Sequence, residues 1–447
     1  MKRFTLKIVA LILCFSLCFT LSSCAIVDEI SKSIFALVMP KGIAEDVSLG
    51  YTHIENTAFL YSEHYTAYKS TDSYSCLEND KMRELYRMLL ENVYYVYPQA
   101  NVDGEYKTKQ VILEEAQLSQ AQIRLTIKAL TDDNPQVFWL STTFGYLISE
   151  DQNYTAVQLY SRVSPKEVQQ QASELKAKVD DFYKNLEKSL TPYQLELYIH
   201  DYILDNCVYD DSIGLDDVIT VEKAKSFDAY GALVEGVAVC EGYSRAFQLL
   251  CHGVGIRCIN LIGESQNELH MWSCVVLDGD WYYVDTTWDD NLDKAFRYDY
   301  FNINEEQLRV DHEFSKLWSQ MSEEEICGDS DDNALTSNFF IPKSTNTAYN
   351  YYVRNSAHLI DYEAEKVIDS LLTSATKKEE YFHFYIDPKE FSYDNAVDQL
   401  FYSYPQYFFS YIDKVNASLA DYSLEKEDLS LYKKKTLSVV TVVLKYV

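Results

Sequence analysis

The sequence of 447 residues is short of positive charge: 39 Lys and Arg stand against 69 Asp and Glu, a formal net charge of −30. So acidic a chain repels phosphates, which excludes nucleic acid as a partner. Glycine (13) and proline (8) are scarce, which excludes collagen-like and low-complexity material. The ten cysteines include no CxxC pair and are too few for a disulfide-dense scaffold. The eight histidines show no pair at metal-ligand spacing, and no Gly-rich phosphate loop occurs, so neither a metal nor a cofactor is expected. What is present is a hydrophobic fraction of 47 %, too high for a disordered acidic chain and enough for two or three domains with sizeable cores.

The N-terminus reads as a processing signal. Lys2, Arg3 and Lys7 precede an apolar run from Ile8 to Leu21, 14 residues long and short of the roughly 20 needed to span a bilayer. The run ends in Leu21-Ser22-Ser23-Cys24, which resembles the lipobox of bacterial lipoproteins. That resemblance implies cleavage after residue 23, lipid on Cys24, a tether over 24–48 and an extracytoplasmic protein anchored to the cell membrane. Seven cysteines then remain, an odd number, so at least one thiol is free.

Further along, three helix starts are written in capping boxes. Ser119-x-x-Gln122 precedes Ile123, Ile127 and Leu130, and Ser164-Pro165-x-Glu167 precedes a stripe from Val168 to Leu186. Thr191-Pro192-x-Gln194 opens the third. Two β-rich runs, Val137 to Ile148 and Tyr154 to Val163, lie between the first two helices. The acidic stretch Glu323 to Asp332 reads as a loop or linker. Beyond it a helical pattern near 357–374, a strand Tyr381 to Ile386 and a β-run Thr436 to Val447 are expected. These signals divide the chain into an N-terminal α+β domain (49–189), a middle domain (190–325) and a C-terminal α+β domain (335–447).

The chemistry concentrates in the middle. Tyr243, Ala246, Phe247, Leu250 and Val254 recur at helical spacing, which puts Cys240 in the first turn of a helix buried along one side. Backbone N–H groups and the positive end of the helix dipole meet a sulfur there, favouring thiolate and able to hold an oxyanion. Cys251 and Cys258, further along, read as buried structural thiols. Asp278-Gly279 between two β-rich runs predicts a two-residue hairpin. Closing it there pairs residues whose numbers sum to 557, so Asp285 faces Trp272 with His270 as its diagonal neighbour, within side-chain reach. An imidazole and a carboxylate side by side, with a thiol at a helix start, form the constellation of Cys–His nucleophilic catalysis.

Residues Pro192 to Asp290 resemble the transglutaminase-like superfamily, whose members share a papain-like cysteine fold. The likeness rests on the Cys240 helix ending at Gly255-Ile256, on His270-x-Trp272, on Trp281-x-x-Val284-Asp285-x-Thr287-Trp288, and on the upstream run His200-Asp201-Tyr202-Ile203. It implies an α+β core in which the Cys helix packs on an antiparallel sheet bearing His and Asp, with Cys240 as nucleophile, His270 as general base and acid, and Asp285 as the orienting acid. Trp272, Trp288 and Tyr230 are candidates for site walls or for a second oxyanion donor beside the Cys240 backbone N–H. The expected activity is hydrolysis of amide bonds in peptide or protein substrates. Transamidation that crosslinks side chains, and a silent surface-binding module that keeps the fold, are the alternatives.

Overall fold

The computed structural model describes residues 50–55, 64–149, 153–214, 219–328 and 334–447. The signal segment, Cys24 and the tether lie outside the described residues. No described helix is long and apolar enough to cross a membrane.

All three capping boxes form. Helix α1 (Asp80–Asn92) is followed by α2 (Gln120–Asp133), where the Ser119 side chain accepts from the Gln122 N–H and Gln122 answers to the Ser119 backbone. The same reciprocal bonds open α3 (Pro165–Lys184) at Ser164 and α4 (Pro192–Asn206) at Thr191. Each cap satisfies N–H groups that a helix start leaves without partners, and contributes about 1 kcal/mol. Strands β1 (Leu140–Ser149) and β2 (Tyr154–Ser161) pair antiparallel within a six-stranded sheet of the N-terminal region.

The middle of the chain builds a second sheet. Short parallel strands β3 (Val208–Tyr209) and β4 (Val237–Ala238) lead into α5 (Cys240–Gly253). Then come β5 (Cys258–Ser265), β6 (Glu268–Leu277) and β7 (Asp280–Val284), a short helix α6 (Thr286–Asp289), β8 (Phe301–Ile303) and β9 (His312–Phe314). The sheet order is β8-β7-β6-β5-β9, antiparallel throughout. The β6–β7 hairpin turns at Asp278 and Gly279, both with positive φ (51° and 89°), as a type I′ turn requires. Its register pairs Ser273 with Val284 and Leu277 with Asp280, as the sum of 557 demands. The ladder stops at Val284, because Asp285 leaves the strand to cap α6.

Helix α5 lies on β6 and against α4. Its buried side is Tyr243, Ala246, Phe247 and Leu250, all with no exposure; truncating a buried Phe such as Phe247 costs about 3–5 kcal/mol. Among the described residues one hydrophobic core draws on positions from Ile54 to Ile326, a second occupies Leu359 to Leu444, and a smaller third one around Trp272 and Tyr283 takes in Tyr352 and Val439. The second belongs to a four-stranded sheet of β10 (Ala357–Leu359), β11 (Tyr381–Ile386), β12 (Ser430–Lys434) and β13 (Val439–Val443), with helices α7 (Glu365–Lys377) and α8 (Tyr407–Asn416). Two details of the sequence reading change here. The acidic stretch begins as a capped helical turn, Glu323–Cys327, and the pattern near 357 starts as a strand before its helix begins at Glu365.

Candidate active site

Cys240 is the first residue of α5 and is partly exposed, with the N-cap Val239 in extended conformation. Two backbone bonds carry the chain to that point: Asp210 N–H to the Ala238 carbonyl and Val239 N–H to the Ser226 carbonyl, each 2.9 Å. The helix start presses so closely on the 226–228 segment that a Cβ on Gly242 would lie 2.4 Å from the Ser226 oxygen. Glycine is what lets the first turn of α5 seat there. Tyr209, on β3, is partly exposed and lies within range of charge on Cys240 and Glu268.

His270 projects from β6, close enough to Cys240 for each to act on the other's charge. Its Nε2 lies 2.6 Å from Asp285 Oδ2, which leaves Nδ1 as the nitrogen for the sulfur. Burial works against the imidazolium, but the charge and hydrogen bond of Asp285, with Cys240, push His270 up to about 10. Asp285 is itself fixed from both sides. Its Oδ1 accepts the Thr287 and Trp288 N–H groups (2.9 and 3.0 Å), because Asp285 is the N-cap of α6. Burial would raise its carboxyl, yet the imidazoles of His270 and His312 hold it well below the usual carboxylate range.

His312 is the residue the sequence reading missed. It is buried at the start of β9, and its Nε2 lies 3.0 Å from the same Asp285 Oδ2. Its Nδ1 lies 2.6 Å from Asp311 Oδ1, and Asp311 Oδ2 accepts the Tyr300 hydroxyl at 2.5 Å. Nothing in the local pattern marks His312, which follows an irregular stretch 27 residues beyond Asp285. The only available signal is the Asp311-His312 dipeptide, which mirrors His200-Asp201 upstream.

The other candidates fall in different places. Trp288 packs near the site, its ring 6.4 Å from that of His270 and 5.1 Å from that of His312. Trp272 is wholly buried yet also lies at the site, its ring stacked 6.1 Å from that of His270 and packed against His312 and Phe314, and its Nε1 has no partner. Tyr230 stacks on Phe138, and its hydroxyl is committed to Glu174 of α3 at 2.7 Å. Among the described residues no disulfide joins any of the seven cysteines, and Cys251 and Cys258 are fully buried.

Donor atoms of His270, Asp285 and His312 lie within 4.8 Å of one another, the one such grouping among the described residues. The separations of 2.6 and 3.0 Å are nevertheless those of hydrogen bonds. Ligands at 2.0–2.1 Å around a tetrahedral zinc stand about 3.3 Å apart.

A thiol at a helix N-terminus, an imidazole against it and a capped, buried carboxylate behind define a thiol–imidazole–carboxylate site on an α+β scaffold. Residues 180–286 match the sequence model of the Transglutaminase-like superfamily, and the chain carries a domain of that superfamily. A mouse protein named Kyphoscoliosis peptidase is 32 % identical over 65 residues, which is 12 % of this chain and 10 % of the relative. The chain thus spans about a tenth of the length of that curated relative. Two solved structures overlap in part. A candidate cysteine protease from Cytophaga hutchinsonii is 14 % identical over 32 % of this chain and 61 % of its own, with a TM-score of 0.20. A structure described as a TGase is 13 % identical over 40 % of this chain and 50 % of its own, with a TM-score of 0.24.

Proposed function

We propose that this protein is a cysteine hydrolase that cleaves amide bonds of peptide or protein substrates through a thioester on Cys240, anchored outside the cell by lipid on Cys24. One observation carries the catalytic part: Cys240 opens α5 within electrostatic reach of His270, whose Nε2 is held at 2.6 Å by Asp285. The anchor rests on the Leu21-Ser22-Ser23-Cys24 pattern. Water as the acceptor, rather than an amine, is favoured by the name of the mouse relative, a peptidase.

In this mechanism the Cys240 thiolate attacks the scissile carbonyl, and the oxygen takes the negative charge beside the Cys240 backbone N–H at the helix start. Imidazolium His270 gives its Nδ1 proton to the leaving amine as the C–N bond breaks. Neutral His270 then takes a proton from water, which attacks the thioester carbonyl, releasing the acid and restoring the thiolate–imidazolium pair. Asp285 keeps Nε2 protonated and the ring oriented throughout.

The test is digestion of an unfolded protein substrate in ¹⁸O-labelled water with a labelled amine present, read by mass spectrometry. New carboxyl groups carrying one ¹⁸O, absent with Cys240→Ala, are expected. Amine incorporation in their place overturns hydrolysis in favour of transamidation, and no modification by either route overturns both.

A further inference from the structure

The reading of Cys240 as nucleophile leaves His312 without a task, although both of its ring nitrogens are held. Both its ring nitrogens face carboxylates, Asp285 at 3.0 Å and Asp311 at 2.6 Å. A carboxylate only accepts, so both nitrogens donate and the ring is an imidazolium. The Tyr300 hydroxyl fixes Asp311 from behind. A neutral ring could satisfy only one of the two acids.

We propose that His312 is a positioning residue of the thiol chemistry, an imidazolium that pins Asp285 Oδ2 and shares it with His270, so that Cys240, His270, Asp285 and His312 act as one charged chain. The inference rests on the reading of Cys240 given above. The arrangement has two consequences. Asp285 cannot swing away from His270, since its Oδ1 is tied to α6 and its Oδ2 to two rings. The site also carries a second positive charge, which offsets part of the pull of Asp285 on His270 and favours a thiolate at Cys240.

The titratable groups facing the His312 ring are Asp285 from the end of β7, Asp311 beside it, His270 from β6 (rings 5.5 Å apart) and Tyr300 (5.5 Å). From β5 the paired residue is Ser265, which does not titrate. Burial and the His270 charge oppose the imidazolium, and hydrogen bonds to Asp285 and Asp311 raise it on balance.

The experiment is the pH profile of Cys240 alkylation by iodoacetamide, with ¹⁵N-histidine NMR on the same samples, for the native protein, His312→Gln, Asp311→Asn and His270→Ala. At pH 7 the native His312 should show both nitrogens protonated. His312→Gln keeps one donor to Asp285 but removes the charge, so the acid limb of alkylation should move up by about one pH unit. Asp311→Asn should move it the same way by less where the ¹⁵N spectrum shows the ring turned neutral, and the opposite way where the ring stays charged with the acid gone, and decides the matter alone if the Gln variant does not fold. A neutral His312 ring at pH 7, or acid limbs within 0.2 units of native in the folded variants (roughly the resolution of such a profile, against the one unit expected), overturns the proposal. Those results leave the nucleophile reading standing. That reading fails separately if His270→Ala alkylates as fast as the native protein.

Discussion

The short helix α6 carries a buried aspartate at each end, and the two ends have opposite roles. Asp285 binds His270 and His312, while Asp289, four residues on, accepts His200 Nε2 at 3.0 Å and the Tyr300 N–H at 2.8 Å. His200, like His312, lies between two carboxylates, its Nδ1 being 3.3 Å from Asp201. The two clusters are built from the same groups but differ electrostatically: burial raises the Asp289 carboxyl to about 7 despite His200, whereas two imidazoles hold Asp285 well below the usual carboxylate range. His200 and Asp289 are completely buried on the α4 side and touch no nucleophile. The Asp285 cluster differs by one residue, His270, which carries its charge out to a partly exposed thiol. A carboxylate–imidazole pair is therefore structural by default and becomes a candidate catalytic one through what its imidazole reaches next.

The comparison can be broken most sharply at its two aspartates. Asp285→Asn should lower Cys240 alkylation at neutral pH by a factor on the order of 10²–10⁴, the usual worth of a positioned acid–base group, in a protein that still folds. Asp289→Asn should do the reverse. It breaks a buried charged pair and should cost about 3–5 kcal/mol in denaturant unfolding, with alkylation per folded molecule within about twofold of native.

The pH dependence sharpens the structural end. Burial disfavours the His200 imidazolium, but Asp201 and Asp289 push it up to about 9. Because its folded value is raised, the stability it contributes is fully present below the ordinary histidine range and is lost as pH rises through 9. Melting temperature should fall between pH 6.5 and 9, a loss on the order of 3 kcal/mol. His200→Gln should flatten that slope without moving the alkylation profile. The smallest effect is expected from Tyr300→Phe, which removes the hydroxyl behind Asp311. It should cost about 1 kcal/mol of stability and change the alkylation rate by no more than about threefold.

Much of the site was legible in residue order alone. The capping boxes at Ser119, Ser164 and Thr191 were, because a cap is a local bond between residues three apart. So was the hairpin register, which Asp278-Gly279 sets without reference to anything distant. His270 and Asp285 came together for that reason. His312 did not, because it reaches Asp285 through β9, and β9 pairs with β5 rather than with a sequence neighbour. The need for glycine at 263 was hidden for the same reason: a Cβ there would lie 1.9 Å from the Glu313 carbonyl oxygen of β9. Strand β12 was missed because Ser430-Leu431-Tyr432-Lys433-Lys434 reads as polar. Its Lys434 is buried instead, with Nζ 2.5 Å from Asp299 and 2.8 Å from the Tyr352 hydroxyl, joining the C-terminal sheet to the middle domain.

The central claim is that Cys240 is an activated nucleophile, and it is tested most directly by competition among thiols in one tube. Iodoacetamide labelling at pH 7, quantified by peptide mass spectrometry, compares Cys240 with Cys76, a partly buried cysteine outside the site whose thiol burial pushes up. The account predicts labelling of Cys240 faster by at least about a hundredfold, with the advantage lost in His270→Ala. Equal labelling of the two cysteines, or an advantage that survives the loss of His270, would contradict it.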